Sequence, residues 1–137
     1  MTQLNKPTIF LLEEDHDTRL TLNKMLTDKG YDVMSTATKE DAFHRVGDGL
    51  LKSDLVLVDL VKEPIEETIN VGSFLRQNAK PNASLVVIAA KYGADLEGTT
   101  AQVAENEYVV YLETGDELFD LLSNLTNKKP KDAETTV

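Results

Sequence analysis

The chain has 137 residues, 14 Lys+Arg against 24 Asp+Glu, a formal net charge of −10 and no cysteine. The length suits one domain with a core that needs no staples, and the missing cysteines exclude disulfides, thiolate metal sites and a cysteine nucleophile. The acidic balance argues against nucleic acid and anionic lipid as partners. The one basic cluster is "KKPK", Lys128 to Lys131. No apolar stretch approaches the roughly 18 residues of a membrane span, and "MTQLNKPTIFLL" lacks the basic and cleavable pattern of a signal peptide, so a cytoplasmic protein is expected.

"TIFLL" (Thr8–Leu12) is a nearly all-apolar run, as in a strand covered on both faces. Thr18, Leu22, Met25 and Leu26 then recur at helical spacing, and Gly30 stops the helix. "YDVMSTA" (Tyr31–Ala37) alternates as a second strand. "TKED" (Thr38–Asp41) reads as a capping box opening a helix with Ala42, Phe43 and Val46 inward. "DLVLVDL" (Asp54–Leu60) is a third strand, apolar except at Asp59. Residues 66–78 read as a helix with Gly72 as its weak point, "SLVVIAA" (Ser84–Ala90) as a fourth strand, and 95–105 as a weak helix. "EYVVYL" (Glu107–Leu112) is a fifth strand; "TGDE" (Thr114–Glu117) caps a last helix carrying Leu118, Phe119, Leu121, Leu122 and Leu125. Residues 127–137 are polar and read as a disordered tail after a domain of residues 1–126.

Strands alternating with helices predict an α/β fold, a five-stranded doubly wound parallel sheet in three layers, flavodoxin-like. In such sheets ligands sit beyond the carboxyl ends of the strands, where strand order reverses. Glu13 and Glu14 follow the first strand and Asp59 ends the third, so three carboxylates converge on one corner. Crowded carboxylates need a cation, and oxygen ligands suit Mg2+. A phosphate-cradling flavodoxin loop is excluded because "EEDHD" repels phosphate, and a haloacid-dehalogenase nucleophile because Glu13 stands where the first Asp of its Asp-x-Asp belongs. Asp15 and Asp17 read as helix-capping residues, and His16 and His44 as surface residues.

"IFLLEEDHDTR", "KGYDVMSTATKEDAF", "SDLVLVDL" and "YVVYL", in this order, resemble the receiver domain of two-component response regulators over residues 7 to about 126. The resemblance implies that Asp59 accepts a phosphoryl group and that Glu13, Glu14, Asp59 and the Val61 carbonyl hold Mg2+. It implies a histidine kinase or phosphotransfer protein as donor. It also implies a downstream protein bound through the face of the fourth helix, fifth strand and fifth helix, with Tyr108 as switch aromatic.

The chain departs from the family in three places. Glu14 stands where the family has Asp, one methylene longer, a shift of about 1.5 Å. Ala89 replaces the Thr or Ser whose hydroxyl contacts the phosphoryl group, and Tyr111 replaces the lysine, with Leu112 in place of the proline after it. Lys91 and Lys62 flank the corner as substitutes for that lysine. The expectation is a stand-alone, non-enzymatic receiver of a phosphorelay that signals by protein contact. The alternative is a phosphate-independent pseudo-receiver acting as a protein-binding module.

Overall fold

The computed structural model describes residues 6–49, 51–89 and 92–135, with side chains as far as Thr126. The described residues form β1 (Thr8–Glu13), α1 (His16–Asp28), β2 (Asp32–Thr36), α2 (Lys39–Gly47), β3 (Leu55–Asp59), α3 (Ile65–Gln77), β4 (Ser84–Ala89), a 3-10 turn (Ala94–Leu96), β5 (Thr100–Ala104), β6 (Glu107–Tyr111) and α4 (Asp116–Thr135). The strands make one sheet in the order β2-β1-β3-β4-β6-β5. All neighbours pair parallel except β5 and β6, which are antiparallel.

Two apolar layers follow from strand alternation. Ile9, Leu11, Leu55, Leu57, Val86 and Val110 face α1 and α4, whose Leu22, Leu26, Leu118 and Leu122 cover them. Phe10, Leu12, Val56, Val58, Leu85 and Val87 face α2 and α3. Strands buried on both sides explain the unbroken apolar runs.

The helix starts are set locally. Asp15 caps α1, its Oδ2 accepting from the Thr18 N–H at 2.9 Å. Thr38 caps α2 through the Asp41 N–H at 3.1 Å. Ahead of α4, the Glu117 carboxylate gathers the N–H groups of Glu113, Thr114 and Gly115. Carboxylates and hydroxyls here satisfy donors that the first helical turn leaves free.

Three sequence expectations are corrected. The helix expected within 95–105 is a single 3-10 turn followed by β5, which lies antiparallel on β6, so the sheet has six strands and not five. Thr99, Thr100 and Val103 are β-branched and favour a strand. Asn106, at φ 64, makes the tight turn into β6. Phe43 does not point inward: it is 41% exposed and meets the equally exposed Phe74 edge to face at 5.5 Å. Gly72 is no mere weak point, because a Cβ there would stand 2.6 Å from Leu85 Cδ1. Its missing side chain lets α3 lie directly on β4.

Candidate functional site

Sheet order reverses at β1, which sends the chain to β2 on one side while β3 lies on the other. The parallel register places Glu13 opposite Asp59 at the carboxyl ends of β1 and β3. Glu13 is fully buried and Asp59 is 8% exposed. The two carboxyls stand close enough for each to bear on the ionisation of the other.

Burial pushes the Glu13 carboxyl up to about 9, with the hydrogen bond to Asp59 and the charge of Asp59 adding to the rise. Burial also raises Asp59, whereas the bond from Glu13 favours its charged form. Both carboxyls are therefore pushed above their ordinary range. Asp15 adds a second negative charge nearby. Its own carboxyl is held below the usual range by the backbone N–H and hydroxyl of Thr18.

The Asp15 N–H donates to Glu13 Oε2 at 3.1 Å. Glu13 Oε1, Glu14 Oε1 and Asp59 Oδ1 are buried with no hydrogen-bond partner. Buried polar atoms without partners are uncommon, and three carboxylate oxygens of this kind at the ends of two adjacent strands are the donor chemistry of a hard cation. Among the described residues, however, no three His, Cys, Asp or Glu side chains already converge tightly enough to hold an ion. The corner has the right oxygens without a preassembled cage. Val61, the remaining expected ligand, follows in the turn after β3 with its side chain 42% exposed.

The far side of the corner is apolar. Ala89 lies opposite Tyr111 in the β4–β6 register and is buried. Tyr111 meets Tyr92 edge-on at 5.4 Å, and the Tyr92 hydroxyl donates to the Leu112 carbonyl. The end of β6 thus carries a packed aromatic pair where the resemblance leads one to seek a cation. Lys62 is exposed in the turn after β3; Lys91 lies outside the described residues. Tyr108 is half-buried, between Val86 of β4 and Gln102 of β5 in the register. The partner face expected around a fourth helix does not exist in that form, because β5 occupies the flank of β6.

Sequence reasoning missed two features. Arg19 donates from one guanidinium nitrogen to the Glu13 carbonyl at 2.9 Å and lies 3.1 Å from His16 Nδ1 with the other. It fixes the backbone that aims the carboxylates, and its place four residues after the cap Asp15 was a signal. Lys39 and Glu63 form an ion pair at 2.9 Å that ties the start of α2 to the loop after β3. Glu63 raises the Lys39 pKa. Twenty-four residues separate the two, and nothing local announces the pair.

No family model matches the chain, and no curated protein matches it by sequence. Its fold does have solved counterparts. A response regulator from Thermotoga maritima is 21% identical, covers 90% of this chain and 100% of its own, and superposes with a TM-score of 0.63. The Thermotoga maritima response regulator TrrA, solved in complex with Mg(2+)-BeF, is 26% identical over 87% of this chain and 98% of its own, TM-score 0.63. The receiver domain of a sensor histidine kinase from Pseudomonas aeruginosa, solved with a magnesium ion in its active-site cleft, is 18% identical over 88% of this chain and 98% of its own, TM-score 0.61. The fold of this chain is the flavodoxin-like fold of response regulator receiver domains. No helix among the described residues is long and apolar enough to cross a membrane.

Proposed function

We propose that this chain is a phosphorelay receiver that takes a phosphoryl group onto Asp59 and signals by protein contact. The observation that carries the reading is the position of Asp59. It ends the central strand at the point where strand order reverses, in register with Glu13 and with one oxygen unpartnered. An anionic oxygen of Asp59 attacks the phosphorus of a phosphohistidine donor. The P–N bond breaks as the P–O bond of an acyl phosphate forms, and the histidine nitrogen keeps the electron pair. Arg19 holds the Glu13 backbone in place.

Glu13, Asp59, Glu14 and the Val61 carbonyl are the ligands we assign to Mg2+, which supplies the charge that offsets repulsion between the carboxylates and the incoming phosphoryl group. With Ala89 and Tyr111 in place of a hydroxyl and a cation, the phosphoryl group lacks a charge-assisted contact of on the order of 1.5–3 kcal/mol. Transfer is therefore slow, and the role is a signalling one, not turnover of a small substrate.

Incubation with acetyl phosphate and Mg2+, followed by intact-mass measurement, tests this. One added phosphoryl group that disappears in Asp59→Ala is the expected result. No adduct, or one that survives in Asp59→Ala, overturns it and leaves the phosphate-independent binding module.

A further inference from the structure

The strand β5 stands last in the sheet order, so its outer edge has no neighbouring strand among the described residues. Its inner edge is bound to β6, where the Tyr111 N–H donates to the Thr99 carbonyl at 2.9 Å. Ladder alternation then turns the main-chain groups of Thr100 and Gln102 toward the open edge. The strand reads "TAQVA": it has no charge and no proline, and so none of the lysines or prolines that usually guard a sheet edge. Only Ala101 of its five residues is partly covered. Val103, at the bulge between Gln102 and Ala104, is 45% exposed.

Along the chain on either side of β5 the charge has one sign; the cation nearest in register is Arg76, which is paired to Glu107. From Tyr92 to Asn127 the sequence has eight acidic residues and no Lys, Arg or His. Glu97 precedes β5 and Glu105 follows it, both exposed. The exposed Glu113 lies against Gly98, where a Cβ would stand 2.8 Å from its Oε1. Both ends of the uncharged strand are therefore negative. A second copy of the chain, pairing edge to edge, would set these carboxylates against each other. A strand with Lys or Arg at both ends would not.

We propose that the open edge of β5 is a docking edge for an extended segment of a partner protein, uncharged and β-prone in the middle and basic at both ends, which adds a seventh strand to the sheet. Main-chain hydrogen bonds supply the pairing, and the flanking glutamates supply orientation and selectivity. The inference rests on the reading of the chain as a module that acts by protein contact. It does not need phosphoryl transfer to Asp59.

The probe is a synthetic peptide of alternating threonine and valine with a lysine pair at each end, measured by fluorescence anisotropy and by amide exchange on the full chain. Binding is expected, with new protection of the amides of Thr100 and Gln102. Val103→Lys, which guards the edge without touching the core, and the double change Glu97→Lys/Glu105→Lys should each weaken it by about tenfold or more. A peptide with proline at its centre should not bind.

No binding overturns the proposal. So does binding that leaves β5 unprotected and ignores Val103→Lys, since that is charge attraction alone. Concentration-dependent dimers that protect the same strand without peptide would make a second copy the occupant and overturn it as well. Asp59→Ala is run in parallel. Peptide binding retained there, with no phosphoryl adduct on the parent chain, would sink the acceptor reading and leave this one standing.

Discussion

Glu13 and Asp59 face each other in register across β1 and β3, both buried, and burial together with the neighbouring Asp59 pushes the Glu13 carboxyl up to about 9. Either acid alone at a buried strand end would be costly. Side by side, each with an oxygen that has no partner, they are donors for a cation that would offset that cost.

The first prediction concerns pH. The Glu13 carboxyl titrates near its ordinary 4.5 when unfolded and at about 9 when folded. Between these values the folded state binds more protons than the unfolded one, so stability falls as pH rises from about 5 to about 9. Urea unfolding in EDTA should show this decline. Mg2+ should reverse it at the alkaline end, and Glu13→Gln should flatten it.

A second prediction concerns Tyr111. Its ring packs on Tyr92, and its hydroxyl makes no hydrogen bond among the described residues. Tyr111→Phe should leave stability within about 0.5 kcal/mol. Tyr111→Lys, which restores the charge that the receiver resemblance leads one to seek, should cost about 1–2 kcal/mol through the lost ring contact. Thermal unfolding of the two variants checks this. Equal stabilities would show that the aromatic pair is not what holds the end of β6.

Glu107 supports the third prediction. It is buried at the start of β6, and accepts from Arg76 at 2.8 Å and from Ser73 at 2.7 Å. Removing Arg76 strands a buried carboxylate, so Arg76→Ala should destabilise by about 2–4 kcal/mol. Glu107→Gln keeps a partner for Ser73 and should cost less. Chemical denaturation of both variants decides the order.

Gly72 gives the fourth. Alanine usually gains about 1 kcal/mol over glycine inside a helix. Here its Cβ would press on Leu85, which is fully buried and cannot swing aside. Gly72→Ala should therefore destabilise, by about 1–3 kcal/mol. Leu85→Ala in the same chain should relieve part of the clash, which a double-mutant cycle would read as a favourable coupling.

The apolar runs at Thr8–Leu12, Asp54–Leu60 and Ser84–Ala90 were legible as buried parallel strands, because only a strand covered on both faces needs to be apolar at every position. The acidic corner followed from them: carboxylates ending two such strands meet wherever those strands pair. Asp15 and Thr38 were legible as caps because capping chemistry is local. The segment 95–105 was not legible as an edge strand. Its pattern is weak, and its state is decided by whether β6 has an open side to pair with, which depends on where β6 falls in the sheet. The outward turn of Phe43, the Lys39–Glu63 tie and the close approach of α3 at Gly72 also lay beyond the sequence. The sequence by itself determined which segments are buried and which carboxylates are available. Only the tertiary structure decided that Glu13 and Asp59 stand buried side by side and that β5 is an edge strand among the described residues, because both depend on register and neighbours brought together from distant parts of the chain.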